Sequence, residues 1–229
     1  MTNSNLSARA IFEGQILHLA AISILLVLVI GAVSNLDFRQ ESFLGLSTTA
    51  WLWLVVVNAI LHQVYVWLCW RLELHGKWLT RRFGNAAFQI FAIGFGFLFI
   101  GRPLFSFALG WSNYGSLDIS PLAGYLLAGL CFGFAAYLMF CVKTYFSFKR
   151  AFGIDHFDES YRSVPLVRRG IFRLSSNAMY VFGFLMLWVP AFLFRSEAAL
   201  VTALFSHTYI WVHHFATEKP DMRVIYERP

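Results

Sequence analysis

Residues 178–219 read AMYVFGFLMLWVPAFLFRSEAALVTALFSHTYIWVHHFATEK. Two apolar runs, 178–194 and 198–215, are separated by little more than Phe194-Arg195-Ser196-Glu197. Each run approaches the roughly 20 residues that carry a helix across a bilayer. So short a connection predicts a tight antiparallel helical hairpin. Working outward, four more apolar stretches stand at about 16–33, 49–70, 86–109 and 121–142. The third is interrupted by Arg102-Pro103, where a helix is expected to end or kink. The first ends in Ala32-Val33-Ser34, which resembles a small-residue cleavage site. Its apolar core is too long for a signal peptide and Arg9 alone is a weak basic flank, so it reads as a span.

Composition agrees. The 229 residues are 59% hydrophobic and 13% charged, with mean hydropathy +0.62, against about 45–50% apolar and about 25% charged for a soluble domain. That excludes a soluble globule and a disordered chain. The expected fold is an all-α, polytopic membrane helical bundle of about six transmembrane helices ending in a C-terminal hairpin. No soluble domain of ordinary size fits beside them. Cys69, Cys131 and Cys141 lie in or at the ends of apolar runs without paired spacing. They read as small core residues, and no metal site is expected.

Net charge is +6, which in this setting points to anionic lipid headgroups rather than nucleic acid. Arg9, Arg71, Lys77, Arg81, Arg82, Lys143, Lys149, Arg150, Arg162, Arg168, Arg169, Arg173, Lys219, Arg223 and Arg228 fall on one side of the expected spans. Arg39, Arg102 and Arg195 fall on the other. The positive-inside rule then predicts that both termini are cytoplasmic. The long basic loop, about 143–177, lies on the same side and carries Tyr145, Phe146, Phe148, Phe152, Phe157, Tyr161 and Phe172. Its aromatic content predicts ordered packing at headgroup level.

Chemistry concentrates in a few places. His213-His214 and Glu218-Lys219-Pro220-Asp221 close the last span. They read either as an interfacial helix end or as a carboxylate facing a cationic ligand. Arg168-Arg169 and Arg173, followed by Ser175-Ser176-Asn177, precede the fifth span. Phosphate anchors and helix caps are the plain reading, but the hairpin brings this segment close to Glu218. Gly94-Phe95-Gly96 and Gly129-Leu130-Cys131-Phe132-Gly133 suggest close helix packing, or approach of a ligand to backbone. His62 and His207 lie inside apolar helices, as interhelical hydrogen bonders or functional groups.

The C-terminal residues, about 125–229, resemble the integral-membrane methyltransferases, which include phosphatidylethanolamine N-methyltransferases and isoprenylcysteine carboxyl methyltransferases. The resemblance lies in Gly170-Ile171-Phe172-Arg173, Asn177-Ala178-Met179-Tyr180 and Gly183, the hairpin, and Glu218-Lys219-Pro220-Asp221-Met222-Arg223-Val224-Ile225-Tyr226. Ser176-Asn177-Ala178 stand where the isoprenylcysteine branch has Arg-His-Pro, which brings the phospholipid branch closer. Phe152-Gly153-Ile154-Asp155-His156-Phe157 is similar to the segment that closes over the family's site. On this resemblance the chain divides into N-terminal transmembrane helices, 1–110, and a methyltransferase-like membrane region, 111–229, with a cytoplasmic catalytic loop.

The resemblance implies S-adenosyl-L-methionine as cofactor and a membrane lipid as substrate, foremost phosphatidylethanolamine or its mono- and dimethyl derivatives. It implies cofactor contacts from Arg173, Asn177, Tyr180 and Glu218, with Gly129 and Gly133 permitting close approach. An amine acceptor must lose a proton, for which His214 or Glu218, with Asp155 and His156 behind them, are the expected acceptors. The alternatives are the same chemistry on another lipophilic acceptor, a non-enzymatic transporter or haem-binding protein using His62, His207 and His213, and a methyltransferase-like scaffold without activity.

Overall fold

A computed structural model describes residues 8–35 and 41–226. Arg39 and Arg228, two members of the charge count, lie outside the described residues. The chain runs α1 (Ala8–Phe12), α2 (Gln15–Asn35), a two-residue hairpin β1 (Ser42–Phe43) and β2 (Leu46–Ser47), α3 (Thr48–Gly76) and α4 (Trp78–Phe83). It continues through α5 (Ala87–Ser112), α6 (Pro121–Cys141), α7 (Phe148–Ala151), α8 (Val189–Leu193), α9 (Glu197–His213) and α10 (Lys219–Tyr226). The protein is an all-α polytopic bundle embedded in a membrane.

Local chemistry sets the helix ends. Ser47 caps α3 by accepting from the Ala50 N–H at 3.2 Å, and Lys77, at φ 51°, stops the helix after Gly76. Ser120 caps α6 ahead of Pro121 in the first turn, where a missing N–H costs nothing. Ser196 caps α9 through the Ala199 N–H at 3.1 Å. Arg195, at φ 49°, makes the reversal between α8 and α9, so the expected hairpin forms where its short connection placed it. Asn113 locks that end: its Oδ1 accepts from Ser196 Oγ at 2.9 Å and from the Ala198 N–H at 3.0 Å.

Four helical segments are long and apolar enough to cross a membrane: Ala8–Asn35, Thr48–Gly76, Trp78–Ser112 and Pro121–Phe146. The other two expected spans are helical but are not among these four. Met179–Leu193 is an irregular helix, passing from a π turn (Met179–Gly183) through a 3₁₀ stretch (Phe184–Leu187) into α8, and α9 has 17 residues. At about 1.5 Å per residue Met179–Leu193 falls short of the roughly 30 Å hydrocarbon core, whereas α9 continues through the π turn into α10. The full count of six is therefore not carried by helix length.

The third span also departs from expectation. α5 does not end at Arg102-Pro103; it continues to Ser112, with Arg102 buried inside the bundle. Pro103 removes one N–H from the ladder, and packing on α3 holds the helix across that gap.

α3 is the central helix, packed on α5 and α9, while α2 packs on α9 from outside. Only His18, Ile22 and Val29 of α2 are buried. Its exposed Ile16, Leu19, Ile24 and Val27 make a surface suited to lipid. α6 packs on the irregular helix and α8, and α5 and α6 do not pack extensively on each other. The long loop is ordered, as its aromatics predicted: Phe146 stacks on Phe172, Phe152 packs on Phe95 and Phe157 on Phe91.

Candidate active site

Between α3, α5, α6, the long loop and the C-terminal hairpin lies a cavity of about 370 Å³, within the usual range of small-molecule pockets, roughly 300–1,000 Å³. Its walls are mainly apolar, with Phe95 and Phe99 from α5 facing Leu138 and Met139 from α6. Polar groups reach it at the end of the bundle that carries Arg71 and the chain's C-terminal tail. Tyr180, Glu218, Asp155 and His156 all line it.

Tyr180 and Glu218 meet directly. The phenol donates a short hydrogen bond to Glu218 Oε2, and His214 Nδ1 lies 3.0 Å from the same oxygen. Oε1 has no hydrogen-bond partner among the described residues, so half of this carboxylate is left for a ligand. The Tyr180 and His214 rings meet edge to face at 5.5 Å. Both partners sit in π turns, Met179–Gly183 and His214–Glu218. Single π turns within helices are frequent at functional sites. Here they direct residues from the two arms of the hairpin onto one point.

Asp155 and His156 stand in a second cluster. His156 Nδ1 lies 3.1 Å from Asp155 Oδ1 and its Nε2 lies 3.5 Å from Asp221 Oδ2. Asp221 is paired with Arg71, both fully buried. Arg71 also donates to the carbonyls of Ala10 at 2.5 Å and Thr217 at 3.2 Å. Tyr226 closes the cluster by donating to Asp155 Oδ2 at 2.7 Å. The His156 ring lies flat on Trp70, 4.2 Å between centroids and 18° between planes. Burial opposes a charge on His156, but the two aspartates outweigh it and raise the imidazole to about 9. Burial likewise pushes Asp155 up, while His156 and the Tyr226 hydroxyl hold it below the usual carboxylate range. Gly153 permits the loop to press this close: its φ is +78°, and a Cβ there would fall 2.5 Å from the Trp70 ring.

The cavity also carries three polar side chains outside the expected site. Arg102, His62 and His213 line it, only 5%, 5% and 2% exposed. Neither nitrogen of His62 or His213 has a hydrogen-bond partner, nor do Nε and Nη1 of Arg102. The signal was present in the sequence, since a charge inside an apolar run is a functional position by default. Counting Arg102 with the charges beyond the spans hid it.

Other expected residues lie elsewhere. Arg173 is exposed and Asn177 half-buried, and neither lines the cavity. Asn177 instead starts the irregular helix, its carbonyl accepting from the N–H groups of Tyr180 and Val181. Gly129 and Gly133 are exposed on α6, with nothing within 4 Å of a Cβ at either. The face of α6 that meets the cavity carries Ala135, Leu138, Met139 and Val142, and the 3.6-residue period puts both glycines on the opposite side. Gly94 does serve close packing, a Cβ there meeting the Tyr65 side chain at 2.4 Å. His207 does not line the cavity, and its Nδ1 accepts from Trp188 Nε1 at 3.0 Å.

Fold and site together define a membrane-embedded helical protein with Tyr180 and Glu218 on the wall of a largely apolar cavity and His214 behind them. Residues 123–229 match the family model for phospholipid methyltransferases, a little under half of the chain. No curated protein and no solved structure matches the chain.

Proposed function

We propose that the protein transfers a methyl group from S-adenosyl-L-methionine to a membrane lipid, foremost phosphatidylethanolamine or its mono- and dimethyl derivatives, at the cytoplasmic face. The observation that carries this reading is Glu218, fixed by Tyr180 and His214 through one oxygen and open through the other, on the wall of an apolar cavity.

The cavity's chemistry suits such a donor. Its positive charge fits the free Oε1 of Glu218 and the face of Tyr180, and its planar base fits aromatic walls. Bound there, the donor supplies an electrophilic methyl group on a positively charged sulfur. The rest falls to the chain. The apolar side chains that α5 and α6 present to the cavity, Phe99 and Met139 among them, suit the tails of a lipid acceptor. Its ammonium must shed a proton before nitrogen can form a bond to carbon. Glu218 lines the cavity and is the group placed to take that proton, while His214, which does not line it, holds the carboxylate through Nδ1. The apolar walls exclude water and hold the reacting groups together.

Asp155 and His156 act here as supports rather than proton acceptors, because Asp155 is held by His156 and Tyr226 and His156 sits charged between two aspartates. The fifteen basic residues on one side favour a cytoplasmic location for this end and for both termini.

Purified protein with labelled donor and phosphatidylethanolamine in mixed micelles should yield lipids heavier by one, two or three methyl groups. Absence of labelled lipid with every phosphatidylethanolamine derivative, at full donor occupancy, overturns the acceptor assignment.

A further inference from the structure

Arg102 is a buried guanidinium without a counter-charge. Among the described residues no carboxylate pairs with it. One N–H group donates to the Ala59 carbonyl at 3.3 Å, and the Phe184 ring lies 5.3 Å from Cζ. Nε and Nη1 remain unpartnered, although an arginine presents five N–H donors. Side chains on a helix tilt toward its N-terminus, so Arg102 leans along α5 toward the end of the bundle where Glu218 lies. Phe184 links the two: its ring is 6.4 Å from that of Tyr180, which holds Glu218. His62, close by on the same cavity, adds two unpartnered nitrogens.

An unpaired buried charge is costly, and the fold keeps this one aimed into a cavity rather than into a wall. We propose that Arg102, assisted by His62, is the anion anchor of the site. It binds an oxyanion on a ligand whose cationic part faces Glu218. The ligand class is a zwitterion, and two sources fit: the phosphate of the lipid acceptor or the carboxylate of the methyl donor. The inference rests on the proposed lipid methylation for the identity of these ligands, but its chemistry is that of the cavity itself.

The test uses full-length protein in detergent, with Arg102→Met and Arg102→Lys. Removing an uncompensated charge predicts that ligand-free Arg102→Met melts no lower than wild type. Titration with S-adenosylhomocysteine, and melting with short-chain phosphatidylethanolamine against uncharged diacylglycerol, then separate the sources. Arg102→Met should weaken one zwitterion about 10- to 100-fold, the span of a lost charge-assisted hydrogen bond. It should leave the other within a factor of about three, and Arg102→Lys should recover part of the loss. Weakened lipid with unchanged donor identifies the phosphate; the reverse identifies the carboxylate. Unchanged binding of both, no binding by wild type, or a ligand-free Arg102→Met that melts well below wild type overturns the anchor. Because these readouts are binding and melting, a protein that binds through Arg102 but transfers no methyl group would refute the enzymatic reading and leave the anchor standing.

Discussion

Two polar clusters share one end of the bundle and differ in how completely they are satisfied. Arg71, Asp221, His156, Asp155 and Tyr226 form a closed chain of partners, its central members buried. Tyr180, His214 and Glu218 form an open one: a single carboxylate oxygen takes both contacts, and the Glu218 side chain is still 18% exposed. The difference teaches how to divide ionisable residues that lie side by side. A buried network with each charge matched rigidifies a fold, while a carboxylate held by one oxygen keeps binding capacity. The closed cluster joins α1, α3, the long loop and the tail; the open one joins only the two arms of the hairpin.

Breaking the closed cluster should give the largest effect. Asp221→Asn leaves Arg71 buried without its anion, a loss of about 3–5 kcal/mol. We expect a large drop in melting temperature in detergent, with activity lost because the tail is released. A melting curve that overlays wild type would mean that the pair is dispensable and the contrast between the clusters is wrong.

Glu218→Gln should break function alone. It keeps the shape and a hydrogen-bond acceptor but removes the charge facing the cavity. The expectation is at least about a hundredfold lower methyl transfer, equivalent to roughly 2.7 kcal/mol, with melting close to wild type. Full transfer by this variant would remove Glu218 from the site.

The pH dependence of stability sharpens the comparison further. His156 is raised from about 6.5 to about 9 in the folded protein. Its contribution is therefore complete below about pH 6.5, declines as pH rises, and is gone above about 9. Asp155 is depressed, so its contribution is present above the ordinary carboxylate range and lost as pH falls through it. Melting temperature should thus decline between pH 6.5 and 9, and His156→Gln should flatten that decline. An unaltered slope in the variant would assign the effect to another group.

Much of this was legible in the chain. Apolar runs gave the membrane helices, the four-residue connection gave the hairpin, and the hairpin brought Tyr180 and Glu218 together before any coordinates were known. Two things were not legible. The partners of Asp155 and His156 were hidden, because composition marks a residue as ionisable without marking what it meets; Arg71, which joins the cluster through Asp221, is 84 positions from Asp155 in the chain. Arg102 was misassigned because Pro103 beside it is ordinarily a breaker, whereas tertiary packing carries α5 through.

The smallest expected effect tests the glycines of α6. If Gly129 and Gly133 let a ligand approach the backbone, a methyl group at either would obstruct it, and Gly129→Ala or Gly133→Ala would raise the KM for the donor. In the structure both sites face outward into open space on the side of α6 away from the cavity. An added Cβ there meets nothing, and alanine costs a helix interior less than glycine by roughly 1 kcal/mol. Both variants should therefore keep wild-type donor affinity and transfer, and melt at or slightly above the wild-type temperature. A tenfold rise in donor KM for either would put a ligand on that face of α6 and move the site away from the Tyr180–Glu218 pair.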